Sequence, residues 1–381
     1  MIIYDTNYDF SGERFKVTYQ IFERPERAKE LARLICVEQT IEFPEEIVGD
    51  RIRRFVLGQV EDLQITEESS TVTIAYPVEI VGNDVTQFLN VIMGNCSLFP
   101  NVKIIDIQLA ESFRTLFTGP RFGVEGLREF LKIENRPLLA TAIKPMSLSA
   151  DQLAEMAYKL ALGGIDIIKD DHGLADQPFS HFEERVLKVT KAVQKANRET
   201  GFNTVYSPNI TSVGPIMLKK AKFVKEIGSG AVLISPALCG FGGMIQVKDE
   251  VGLPILSHPA FIGGYLSVMD HRVLLGKLQR VLGADICIFP NYGGRFSFSK
   301  QECLKIDQGL KEPFEWLPPA LPAPAGGMNI KKVTEMVATY GKDVVLLIGG
   351  ALHKLGPDLA DSVRKFRDET QRACELLFKN A

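Results

Sequence analysis

Short apolar runs alternate with longer amphipathic stretches along most of the chain, and their spacing predicts the elements. Residues 15–22 (FKVTYQIF) are rich in β-branched and aromatic side chains and read as a strand. Residues 26–36 carry apolar positions at helical spacing. Further strands are expected at 71–76 and 102–109, with a helix over 85–91 between them. Residues 1–120 therefore read as a small α+β domain of ferredoxin-like type. Turn residues flank a short helix in GPRFGVEGLREFLKIENRP and mark a connecting segment at 121–137. Beyond it, eight short apolar runs follow, at 138–143, 165–169, 203–207, 231–235, 254–257, 285–289, 320–325 and 344–348. Amphipathic segments lie between them, as at 150–162, 183–199 and 329–340. Parallel strands buried on both faces read as continuous apolar runs, so residues 138–381 are expected to form a (β/α)8 TIM barrel ending in a helical tail over 355–381. A doubly wound sheet would need a glycine-rich phosphate fingerprint after its first strand, and ATAIKPMS is not one.

Composition narrows the function classes. With 45% hydrophobic and 24% charged residues, the 381-residue chain has the balance of a soluble globular protein, long enough for one large domain or two. A net charge of -3 offers nothing to attract nucleic acid or an anionic membrane surface. No apolar run approaches bilayer length, and MIIYDTNYDF lacks a signal pattern, so the cytoplasm is the expected compartment. Cys36, Cys96, Cys239, Cys287, Cys303 and Cys374 are scattered without a Cys-x-x-Cys pair, which speaks against a zinc site or a disulfide framework. No histidine–cysteine signature marks Cys239 or Cys287 as a nucleophile.

Chemistry in a barrel sits at the carboxyl ends of the strands. GGIDIIKDDHGLADQPF (163–179) places Lys169 and Asp171 on one face of a strand end and Asp170 on the other. From these residues alone the pair is either a site or a structural ion pair. Lys144 in AIKP, Asn209 in SPNIT and His258 in LSHPA fall at other strand ends. Lys144 there is either a proton carrier or a lysine reaching for solvent, and Asn209 is either a site residue or a turn asparagine. His172 reads as a ligand for manganese, iron or zinc, as an acid–base group, or as an idle loop histidine. Gly326–Gly327 and Gly349–Gly350 follow the last two strands, where backbone N–H groups can hold phosphate; tight turns are the plainer reading. His181, His271 and His353 have no such context and are expected at the surface or in structural roles.

GGIDIIKDD followed by QPF, together with AIKP, resembles the signature segments of the large subunit of ribulose-bisphosphate carboxylase (RuBisCO). The resemblance implies that Lys169 takes up carbon dioxide as a carbamate and, with Asp171, holds Mg2+. His172 stands where the family has a second carboxylate, leaving another divalent metal open. Lys144 matches the catalytic lysine, but Met146 replaces the family's second lysine. Arg295 is the cation nearest to the place of the mobile-loop lysine. His258 aligns with a substrate-contacting histidine, though Pro259 replaces the arginine after it, and Asn209 aligns with a third-strand asparagine. Gly326, Gly327, Gly349 and Gly350 resemble the phosphate-binding glycines, with Ala325 in place of a serine. Glu38 in CVEQT and Asn95 in MGNCS match residues contributed across a dimer interface, which implies a homodimer with a shared active site. These departures are similar to those of RuBisCO-like proteins and argue against carbon fixation. The favoured expectation is a metal-stabilised enolate that leads to decarboxylation, carboxyl transfer or hydrolysis of a phosphorylated keto-sugar acid of the 3-oxo-isoapionate 4-phosphate type. The alternatives are enolisation or isomerisation of a methylthio-sugar phosphate in methionine salvage, a non-catalytic barrel that binds a phosphometabolite, and an aldolase using Lys144 as a Schiff base.

Overall fold

The computed structural model describes residues 3–378, so the last three residues of the expected tail lie outside the described ones. The chain forms two compact units. The first runs through Thr118 and takes in Gly264–Leu278 and Pro313–Leu317. It holds strands β1 (Arg14–Ile21), β2 (Gln59–Ile65), β3 (Ser70–Pro77) and β4 (Val102–Gln108) in the order β2-β3-β1-β4. The observed pairs are antiparallel. Helices Pro25–Glu38 and Val85–Met93 follow β1 and β3, completing the split β-α-β-β-α-β arrangement of ferredoxin-like folds. Phe15, Val17, Tyr19 and Ile21 alternate along β1 and are all buried. Strand β2 has no such alternation, because as the outer strand it leaves most of its side chains exposed.

The second unit carries eight strands: β5 (Leu138–Ile143), β6 (Ile167–Asp170), β7 (Val205–Ser207), β8 (Val232–Ile234), β9 (Ile255–Ser257), β10 (Ile286–Pro290), β11 (Leu321–Ala325) and β12 (Val345–Ile348). Their order is β7-β6-β5-β12-β11-β10-β9-β8, and a parallel bridge between Asn209 and Leu233 joins the two ends of that list into a nearly closed barrel. Ala140, Ile167, Leu233, Leu256, Ile286, Ala323 and Val345 belong to one buried cluster that fills the interior. Val124, Leu127 and Leu131, spaced along one face of helix Gly123–Leu131, join that cluster. Helices Ala150–Leu162 and Lys300–Lys311 each start at a serine capping box, built from Ser149 with Gln152 and from Ser299 with Glu302. Among the described residues no helix is long and apolar enough to cross a membrane.

Asp285 fixes the start of helix Gly123–Leu131. Its carboxylate accepts from the backbone N–H groups of Phe122 (2.7 Å), Gly123 (2.9 Å) and Ile255 (2.9 Å). Burial pushes its pKa up to about 6, against the pull of those three N–H groups and of Lys248. A folded-state pKa above the unfolded one favours the folded state at low pH, and that gain is lost as pH rises through about 6. The wild type is therefore expected to gain stability relative to Asp285→Asn, which cannot titrate, between pH 7 and pH 5. Denaturant midpoints of both proteins at the two pH values check this; a constant difference would mean that the carboxylate stays charged throughout.

Candidate active site at the barrel mouth

Strand alternation separates the three charged residues of the β6 end. Asp170 faces away from Lys169 and Asp171 and is completely buried. It accepts from Arg185 (3.2 and 3.3 Å), the Tyr206 hydroxyl (2.5 Å) and the backbone N–H of Asn209 (3.0 Å). It anchors the loop and is not a group presented at the mouth. Lys169 is 3% exposed, and its Nζ donates to the Asp170 carbonyl at 2.9 Å. Burial lowers its pKa to about 8, helped by the charge of Lys144 and opposed by Asp171 and Asp170.

Asp171 sits where the strand has ended. Its Oδ1 accepts from the Gly173 N–H at 3.1 Å and lies 3.4 Å from His172 Nδ1, while Oδ2 lies 3.5 Å from Lys144 Nζ. Burial works to raise the Asp171 pKa, but the Gly173 hydrogen bond and the charges of Lys169, His172 and Lys144 outweigh it and hold the carboxyl low. His172 is half-buried and stacks flat on His258, with ring centroids 4.4 Å apart and planes at 12°. Burial lowers the His172 pKa; Asp171 opposes this, while Lys169, Lys144 and Arg295 reinforce it. Arg295 is exposed over the Phe296 ring, and its charge reaches the same group. His258 is driven far below the ordinary histidine range by burial and by Lys169, His172 and Lys144. Its Nδ1 accepts from the Ala260 N–H at 3.2 Å, so the ring is neutral with its proton on Nε2.

Asn209, grouped by sequence with the substrate contacts, spends its amide on the loop. It donates to the carbonyls of His172 (2.9 Å) and Leu174 (3.0 Å), and its Oδ1 accepts from Thr211 N–H. The glycine pairs occupy neighbouring loops. In the sheet order, β12 lies between β11 and β5, and β6 follows β5. Gly349 and Lys169 are thus two strand spacings apart, about 10 Å, within reach of one sugar phosphate. Gly326 and Gly327 have φ of 100° and 69°, a backbone that favours glycine. An added methyl at Gly326, Gly349 or Gly350 would meet open space, whereas one at Gly327 would press on the Gly293 carbonyl. The turns after β10 and β11 therefore pack closely. His353, on the helix that follows Gly350, was not singled out by sequence. It is exposed, as expected of a surface histidine, and partial burial and the charge of Lys144 lower its pKa.

In the first unit, Asn95 Nδ2 donates to Glu38 Oε1 at 2.8 Å, so the two residues expected to act across a dimer are neighbours. All six cysteines are thiols, and burial raises Cys239 to about 11, far from a reactive thiolate.

Residues 123–286 match the family described as ribulose bisphosphate carboxylase large chain, catalytic domain. A crystal structure of a RuBisCO-like protein from Rhodopseudomonas palustris superposes with a TM-score of 0.86 and 37% identity, covering 94% of this chain and 98% of that one. The chain belongs to the RuBisCO-like proteins. Within this family, the 5-methylthioribulose-1-phosphate isomerase of Rhodospirillum rubrum is 35% identical over 96% of this chain and 99% of its own length. The 2,3-diketo-5-methylthiopentyl-1-phosphate enolase of Bacillus licheniformis is 31% identical over 90% and 86%. These relatives favour the enolase or isomerase alternative over the loss or transfer of a carboxylate ranked first from sequence.

Proposed function

We propose that this RuBisCO-like protein is an enzyme that enolises a phosphorylated methylthio-ketose, and either returns the proton to a neighbouring carbon, as an isomerase, or leaves it on the oxygen of the enol, as an enolase. One observation carries the reading: Lys144, Lys169 and Asp171 converge at the mouth of a barrel whose adjoining loops carry the two glycine pairs, open at Gly326, Gly349 and Gly350. Lys144, Lys169 and Arg295 outnumber Asp171 there, which suits a substrate carrying phosphate and gathering enolate charge. Gly326, Gly327, Gly349 and Gly350 hold the phosphate, His258 donates from Nε2 to a substrate oxygen, and Lys144 carries the proton.

The donor set fits a divalent cation once Lys169 is carbamylated. Among the described residues no three His, Cys, Asp or Glu side chains are gathered for a metal, so Asp171 and His172 need a further ligand. In carbamate formation the neutral Lys169 amine attacks carbon dioxide, an N–C bond forms, and one proton leaves. The remaining N–H can keep the bond to the Asp170 carbonyl. A cation held there supplies Lewis-acid polarisation of the substrate carbonyl. Exposed Met146, Phe179, Phe261 and Phe296 on the mouth loops fit a cover supplied by a second copy of the chain, with Glu38 and Asn95 of the partner subunit completing the site in a homodimer.

The test is 5-methylthioribulose 1-phosphate in deuterium oxide with bicarbonate and Mg2+ or Mn2+, followed by proton NMR. Deuterium entering beside the carbonyl, with an isomeric product and no carbon dioxide release, is expected, and Lys144→Ala should lose it by about 100-fold or more. A protein that leaves this substrate untouched but decarboxylates a phosphorylated β-keto acid would overturn the reading.

A further inference from the structure

We infer that His172 is itself a metal ligand and that it retunes the mouth from an all-oxygen Mg2+ site to one that prefers a borderline transition-metal ion. The inference rests on the function proposed above, because it takes the carbamate of Lys169 as a neighbouring ligand. Three features of the geometry lead to it. His172 Nδ1 and Asp171 Oδ1 stand 3.4 Å apart. Two ligands at about 2.1 Å from one ion are separated by about 3.0 Å in octahedral and 3.4 Å in tetrahedral coordination, so the pair is already spaced for a common ion. Second, both atoms are held in place. Gly173 N–H fixes Asp171 Oδ1, and the stack on His258 fixes the plane of the His172 ring. The His172 carbonyl is tied to Asn209, and His258 is locked in turn by Ala260 N–H. Asn209, through the backbone carbonyl, and His258, through the stack, thus restrict where the imidazole can lie.

Third, the donor chemistry changes the metal. Asp171 and the carbamate are hard oxygen ligands that serve magnesium well, whereas an imidazole nitrogen favours manganese, cobalt or zinc. The set is two oxygens and one nitrogen, with remaining positions open to water and substrate. No step of the proposed reaction changes; only the identity of the ion does.

The experiment titrates Co2+ and Mg2+ into the full-length protein, with and without bicarbonate, by calorimetry and by visible absorption of the bound cobalt. Wild type, His172→Ala and His172→Glu are compared, and circular dichroism confirms folding; the half-exposed His172 side chain makes both changes tolerable. In bicarbonate, wild type is expected to bind Co2+ about 100-fold more tightly than Mg2+. His172→Ala should lose about 10- to 100-fold of the Co2+ affinity with little change for Mg2+. His172→Glu should narrow the preference by strengthening Mg2+ binding. Cobalt affinity and spectrum that are the same in wild type and His172→Ala would overturn the inference. If that cobalt binding still needs bicarbonate and Lys169, the carbamate reading stands without it. Cobalt binding indifferent to bicarbonate and to Lys169→Met would remove both.

Discussion

Lys169→Met is expected to lower kcat/KM by about 10³-fold or more while leaving the thermal midpoint unchanged or raised. The two halves of that expectation come from one fact, the burial of an amine at 3% exposure. A buried ammonium has given up its hydration, and here that cost shows as a pKa lowered to about 8. Methionine has nearly the same length and fills the same space without a charge, so the fold loses one hydrogen bond to the Asp170 carbonyl and gains relief from desolvation. On the proposed reading, catalysis loses the carbamate that would hold the cation together with Asp171. Lewis-acid stabilisation of an enolate is worth several kcal/mol, and about 4 kcal/mol corresponds to about 10³ in rate. Steady-state kinetics and a melting curve on the same preparation check both halves. A variant that melts early but turns over normally would make Lys169 a structural tie, the plainer of the two readings open from sequence alone.

That ambiguity shows how far the chain could be read without coordinates. The eight barrel strands were legible because parallel strands buried on both faces need unbroken apolar runs; β5 and helix Ala150–Leu162 fall on the expected residues. Strand β2 was not legible, since an edge strand exposed on both faces has no period to read. Strand β6 starts at Ile167 and not at 165, because buried Asp166 before it is taken up by Arg136 and the Leu139 N–H. At the site, alternation alone separated Asp170 from Lys169 and Asp171. What lay beyond reach was tertiary: that Arg185 and Tyr206 come back to Asp170, and that His258 stacks on His172. The ranking of reactions was beyond reach for a similar reason. Arg295 as a carboxylate clamp favoured a keto acid, yet its guanidinium lies exposed over Phe296, and the isomerase and enolase relatives point to the other chemistry.

The largest effect on stability is expected from Arg185→Met, a residue that touches no substrate. Arg185 and Asp170 are both wholly buried, and the arginine also donates to the carbonyls of Ser180 (2.8 Å) and Ala175 (2.7 Å). It thereby ties the strand end to the far side of the loop that carries Asp171 and His172. Removing one partner of a buried ion pair leaves the other charge without compensation and costs about 3–5 kcal/mol. Tyr206 and the Asn209 N–H still donate to Asp170, which places the expected cost toward the lower end of that range. Urea denaturation measures it. Adding Asp170→Asn to Arg185→Met should recover part of the loss, because the charge left behind is then gone. The loop carbonyls freed from Arg185 remain unmatched in both variants, so turnover should stay depressed in the double variant even where stability returns. If Arg185→Met costs less than about 1 kcal/mol, the buried pair does not set the position of Asp171 and His172. The loop must then be held by its other bonds, among them those from the Asn209 amide just after β7 and from Gln177 to the Gly173 carbonyl.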